Sequence, residues 1–172
     1  LSAERIVIAA GAWSTRLLAG TTSARIPLDT ERGYNTTLPK SAFDLKRQLI
    51  FSGHGFVITP LENGLRVGGA VEFAGLDAAP NFGRSKIMLD KARSFLPGLD
   101  PTGGVEWMGF RPSLPDSLPV LSPLPERNDI LLAFGNGHLG LTQSAAMGRV
   151  VTDLVSEKKP SIDLAPFRAD RF

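Results

Sequence analysis

The chain has 172 residues, 42% of them hydrophobic and 21% charged, with a formal net charge of +2. That length can bury a sizeable core, and the charge is too small and dispersed for a nucleic-acid binder. With no cysteine, and only His54 and His138 as histidines, a disulfide scaffold and a thiol nucleophile are excluded and a zinc site is disfavoured. No apolar run approaches a membrane span, and no signal peptide is visible. The sequence opens at Leu1-Ser2-Ala3-Glu4 without methionine and reads as a piece of a longer protein.

Arg5 to Ser14 is expected to be an apolar strand running into a small-residue turn at Gly11, with a short helix over residues 15–18. Gly11 either lets a ligand approach the strand end or serves the turn alone. Residues 25–38 hold a β-prone run, Thr30-Glu31-Arg32-Gly33-Tyr34, whose internal glycine suggests a bulge or a close approach. Tyr34, the one tyrosine, is a candidate substrate contact or a packed aromatic.

Residues 55–60 and 65–71 alternate as a hairpin around Glu62-Asn63-Gly64, with Asn-Gly as its turn pair. Residues 81–96 predict an amphipathic helix with Ile87, Leu89, Ala92, Phe95 and Leu96 inward, stopped by Pro97-Gly98. Its charges, Arg84, Lys86, Asp90, Lys91 and Arg93, read as a solvated face. Residues 103–112 predict a strand, and the prolines over 113–121 argue against regular structure.

Residues 130–134, Ile-Leu-Leu-Ala-Phe, predict a strand buried on both faces, opened by Asp129. Gly135-Asn136-Gly137-His138-Leu139-Gly140 follows as a loop. A helix then carries Leu141, Ala145, Gly148, Val151, Thr152 and Val155 at helical spacing. Strand, glycine loop and helix N-terminus in that order converge free N–H groups and the positive helix end on an anion or carbonyl. The loop also spells G-x-G-x-x-G, but a dinucleotide pyrophosphate site needs a further parallel strand ending in an acid. Only Glu157-Lys158-Lys159-Pro160 and a short tail follow. The loop therefore holds a cofactor's polar edge or only makes a tight turn.

The sequence offers no catalytic triad, cysteine–histidine pair or close carboxylate pair, and Glu106 and Asp116 lack evident partners. Such a chain fits an enzyme whose cofactor carries the chemistry. Arg111 ends a strand and is stiffened by Pro112; its guanidinium suits a carboxylate fork or a structural ion pair.

Three stretches together resemble the D-amino acid oxidase (glycine oxidase) superfamily. Residues 6–14 resemble its strand and turn beside the flavin. Gly109-Phe110-Arg111-Pro112, followed by Pro115-Asp116 and Pro119, resembles its G-x-R-P segment near the substrate. Gly135 to Thr142 resembles the C-terminal flavin loop, G-H-x-G-x-T in the D-amino acid dehydrogenase branch, and Arg32-Gly33-Tyr34 resembles the start of that branch's substrate sheet.

The resemblance implies an α+β fold: a mostly antiparallel substrate-domain sheet with a helix (27–112), flanked by parts of an FAD-binding α/β domain (1–26 and 113–172). It implies FAD in the full-length protein, with the nucleotide-binding βαβ unit preceding Leu1, so that this stretch alone holds no flavin. It implies oxidation of an amino acid, nearest a D-amino acid, by hydride transfer to flavin; water then hydrolyses the imino acid to a 2-oxo acid. Sarcosine, glycine, proline or opine oxidation is the alternative within the superfamily, and a non-catalytic binding module is the alternative outside it. Arg111 would hold the substrate carboxylate and Tyr34 would assist. Gly11, Gly135, Gly137, His138, Leu139, Gly140, Leu141 and Thr142 would line the flavin. No side chain is assigned a catalytic role and no metal is implied. The electron acceptor would be oxygen or a respiratory quinone, and the location cytoplasmic or peripheral at the cytoplasmic membrane.

Overall fold

The computed structural model describes residues 2–172. They form two compact units: one holds the chain up to Glu31 together with Arg111–Phe172, the other Arg32–Phe110. The architecture is α+β, with short helices beside two sheets.

The first unit is built on a three-stranded sheet. β1 (Ile6–Ile8) lies parallel to β8 (Arg127–Phe134), pairing Ile6, Val7 and Ile8 with Ile130, Leu131 and Leu132. β7 (Val120–Leu124) runs antiparallel along the other edge of β8. Ile130, Leu131, Leu132 and Phe134 are buried, as the apolar run predicts. Ile130, Leu132 and Phe134 form a core with Ile8, Leu18, Leu114, Val120 and Leu124, most of it contributed by the buried faces of these strands. β7 departs from the sequence expectation, because proline-rich sequence argued against a strand there. Pro123 is accommodated where the β7–β8 register shifts, between Pro123 and Leu124.

α1 (Ser14–Leu17) is a single turn, entered through a 3-10 turn at Gly11–Trp13. α3 (Gly140–Val155) packs against β8. The Arg5 guanidinium closes the far end of α3: its Nη1 donates to the carbonyls of Leu154 at 2.9 Å and Val155 at 3.0 Å, and its Nη2 pairs with Glu157. A cation on the last carbonyls of a helix is favourable both as a hydrogen bond and against the helix dipole. At the tail, Arg171 grips Asp116 through Nε at 2.7 Å and Nη2 at 3.1 Å. Asp116 thus has the partner that the sequence did not reveal, and this contact, with smaller backbone contributions, holds its carboxyl below the usual range.

The second unit is organised by a five-stranded sheet of order β3-β4-β5-β2-β6, entered along β2 (Asp29–Leu38) and left along β6 (Val105–Ser113). β3 (Leu49–Phe51), β4 (Phe56–Leu61) and β5 (Gly64–Phe73) are antiparallel neighbours. The expected hairpin is there, but Leu61 pairs with Gly64, so Glu62-Asn63 is the turn and Gly64 is already in the strand. Gly64 is needed for contact instead: a Cβ there would lie 2.0 Å from the Leu38 carbonyl oxygen.

α2 (Gly83–Phe95) covers this sheet on the side of Phe56, Ile58, Leu65 and Val67. Its inward residues are Ser85, Met88, Leu89 and Ala92, whereas Ile87 is 58% exposed. On the solvated face that carries Lys86, Asp90, Lys91 and Arg93, Arg84 is in addition engaged, donating to Glu72 at 3.2 Å and to the Val71 carbonyl at 3.1 Å.

Candidate active site

In the first unit, β1 and β8 end side by side. Gly11 follows Ile8 by the same number of residues as Gly135 follows its partner Leu132. Both glycines take positive φ, +55° and +90°. Each strand then breaks into a 3-10 turn, Gly11–Trp13 or Gly137–Leu139, and each turn feeds a helix. The crevice beyond the carboxyl ends of adjacent parallel strands is where open α/β sheets bind ligands.

The sequence expectation of a loop from Gly135 to Gly140 needs one correction. Only Gly135 and Asn136 are irregular; residues 137–139 form the 3-10 turn and α3 begins at Gly140. Neither helical segment has a side-chain cap. Asn136, at the capping position, instead donates to Gln143 Oε1 at 2.7 Å. The first-turn N–H groups of the 16-residue α3 thus have no side-chain cap. Leu139 and Leu141 are 52% and 92% exposed, and Thr142 is exposed beside them.

The glycine loop lies against the end of β6. A Cβ on Gly135 would come within 2.5 Å of Leu114 Cδ1, and one on Gly137 would lie 3.7 Å from Ser113 Oγ. His138 Nδ1 is 3.5 Å from Glu31 Oε2. Arg111 is half-buried, and its Nη1 is buried with no hydrogen-bond partner. Burial pushes its guanidinium below the usual value while the charge of Glu31 acts in the opposite direction. Arg111, Glu31, His138, Gly135, Gly137 and Gly11 all belong to this unit.

Tyr34 belongs to the other unit and is 1% exposed. Its hydroxyl donates to Glu72 Oε2 at 2.5 Å and accepts from the Asn81 N–H at 3.0 Å. Beside it Arg32, fully buried, donates to the carbonyls of Gly75, Ala79 and Ala74, and its Nη1 lies 3.7 Å from Glu72. These groups, the Tyr34 hydroxyl first, then Arg84 and Arg32, hold the Glu72 carboxyl below the ordinary range. Together they clamp residues 74–81 onto the sheet.

Two residues of weight escaped the sequence reading. Glu31 was visible only as an acid beside Arg-Gly-Tyr, and its neighbours His138 and Arg111 are remote in sequence. Glu72 sat in a strand with no sign of its partners.

The donor set fits the polar edge of a planar cofactor. The space next to Gly11 is open, with nothing within 4 Å of a Cβ built there, and neither the turn at 137–139 nor α3 has a side-chain cap. A dinucleotide pyrophosphate loop does not fit, because among the described residues no strand follows α3. Among the described residues, too, no cluster of side chains could hold a metal ion.

Residues 1–154 match the family described as FAD dependent oxidoreductase. The chain is 40% identical to a D-amino-acid oxidase of Bradyrhizobium diazoefficiens, over all of this chain and 42% of that protein. It is 38% identical to a D-amino acid dehydrogenase of Paramagnetospirillum magneticum, over all of this chain and 41% of that protein. In three dimensions it superposes on a glycine oxidase from Geobacillus kaustophilus with a TM-score of 0.82 and 28% identity, covering 100% of this chain and 46% of that one. The chain thus spans about two fifths of the length of the curated relatives it matches.

Proposed function

The chain belongs to the FAD-dependent oxidoreductase family, and from that premise we propose that it serves, within a longer flavoprotein, in the oxidation of amino acids, D-amino acids first among them. The product is an imino acid that water hydrolyses to the 2-oxo acid, and the electrons pass on to oxygen or a quinone. Similarity to a glycine oxidase supports small amines such as glycine as the second substrate class.

Arg111 carries this reading. A half-buried guanidinium with an orphaned Nη1 lacks an anion, and a substrate carboxylate supplies one in the planar geometry a guanidinium prefers. Bound FAD would supply the acceptor for the electron pair leaving the α-carbon. Gly11, Gly135, Gly137 and the backbone of residues 138–142 hold its polar edge in this reading, because positive-φ glycines keep side chains away and the α3 N-terminus favours negative charge. Tyr34 enters through its clamp with Arg32 and Glu72, its hydroxyl being committed within its own unit.

Arg111→Lys in the flavin-loaded protein tests this. Lysine keeps the charge but loses the fork, so kcat/KM for an amino acid should fall by roughly 30- to 1000-fold, about 2–4 kcal/mol. Flavin content should stay at the wild-type level. An amino acid amide, which has no carboxylate, should be a poor substrate for both proteins and barely affected by the change. Equal losses on acid and amide, together with lower thermal stability, would make Arg111 scaffolding.

A further inference from the structure

We propose that Glu31 reads the substrate's amino group, so that Arg111 and Glu31 together form a site for a zwitterion. This rests on the amino acid reading above and deepens it.

β2, which carries Glu31, and β6, which carries Arg111, are neighbours in the sheet order. The two charges influence each other, yet among the described residues no ion pair closes between them. Glu31 has a side chain only 23% exposed, and among the described residues its one close polar contact is with His138 Nδ1 at 3.5 Å. That is longer than a good hydrogen bond. A largely desolvated carboxylate with so loose a partner is costly, as is a buried guanidinium N–H with none.

A structural ion pair would relieve both by closing the gap, and this pair stays open. An α-amino acid relieves both at once: its carboxylate accepts from Arg111 and its ammonium donates to Glu31. A substrate with a hydroxyl in place of the ammonium would satisfy Arg111 but leave the Glu31 charge without a counter-ion. Glu31 is thus a specificity-determining residue for the amino group, with His138 closing its other side.

The test is Glu31→Gln in the flavin-loaded protein, measured with D-alanine as substrate and with propionate, which lacks only the amino group, as competitive inhibitor. Losing a charged hydrogen bond should raise the KM for D-alanine by about tenfold or more. Propionate should bind as well as before or tighter, because a negative charge near the anion site has gone. Flavin content and melting temperature should not move. Glu31→Asp, which keeps the charge on a shorter arm, should fall between the wild type and Glu31→Gln for D-alanine. Parallel weakening of both ligands, an unchanged D-alanine KM, or loss of flavin or fold would each overturn the assignment and leave Glu31 as an anchor for His138. If the wild type oxidises no amino acid, the functional reading falls first; if it does and the two ligands respond alike, only Glu31 is misassigned.

Discussion

Gly11 and Gly135 close two neighbouring parallel strands at the same register position, both with positive φ. Chain direction changes at one level in both strands, and the two 3-10 turns open onto a common strand end. The two glycines are nevertheless needed for different reasons. At Gly135 the space is filled by Leu114, while at Gly11 it is empty.

That difference predicts opposite signatures for the same substitution. Gly135→Ala forces a Cβ to within 2.5 Å of Leu114 Cδ1, and should cost about 1–3 kcal/mol of stability from overpacking and left-handed strain. Gly11→Ala meets nothing in the protein, so only the backbone cost of about 1 kcal/mol applies. If the open space beside Gly11 is where the cofactor approaches, Gly11→Ala should weaken flavin retention out of proportion to its melting temperature. Thermal unfolding of the apoprotein, set against flavin content of the purified protein, checks both. Full flavin content in Gly11→Ala would remove Gly11 from the cofactor site.

The Glu72 clamp should give the second unit an acid-sensitive element. The folded-state carboxyl is depressed, mainly by the Tyr34 hydroxyl, below its ordinary value. The stabilisation is therefore complete above the unfolded value of about 4.3 and is lost as pH falls through the lower folded value. Glu72→Gln should melt earlier than wild type at pH 7, and the gap should narrow as the pH is lowered below the unfolded value. Melting curves at a series of pH values measure this directly. A gap independent of pH would show that the charge of Glu72 is not what the clamp uses.

How far the fold was legible depended on whether the signal was local. The β8 run, the hairpin and the α2 boundaries to within two residues could be read, because apolar patterning and the Pro97-Gly98 stop are written in adjacent residues. β7 could not be read, since its proline is tolerated by its edge position and by a register shift against β8, neither of which is written in adjacent residues. On α3 the spacing announced the helix but not its inner face. Leu141, Ala145, Gly148, Thr152 and Val155 keep helical spacing but are exposed, whereas Gln143, Met147, Val150 and Leu154 turn towards the sheet to varying degrees. A helix with small or apolar residues on more than one side does not declare its inner face by period alone. The site followed the same rule. The glycine loop and Arg111 stand out by composition, while Glu31 acquires meaning only when the fold sets it beside His138 and near Arg111.

Residues 1–172 alone should bind flavin only weakly. The glycine loop and the α3 N-terminus offer donors to a small polar edge, and in our proposal the flavin ring uses them. A diphosphate needs a comparable cradle of N–H groups of its own, in the strand–loop–helix–strand setting that neutralises it. Among the described residues β8 and α3 form the one strand-to-long-helix junction through a glycine loop, and no strand follows it. The chain alone should therefore purify colourless. Titrated with FAD, it should show weak binding, with little preference over riboflavin, which shares the ring and lacks the diphosphate and adenosine. Visible spectra after gel filtration and parallel isotherms for the two flavins decide it. Tight, stoichiometric binding of FAD with riboflavin far weaker would mean that these residues do hold the phosphates. The G-x-G-x-x-G run at 135–140 would then have to be reconsidered as their site.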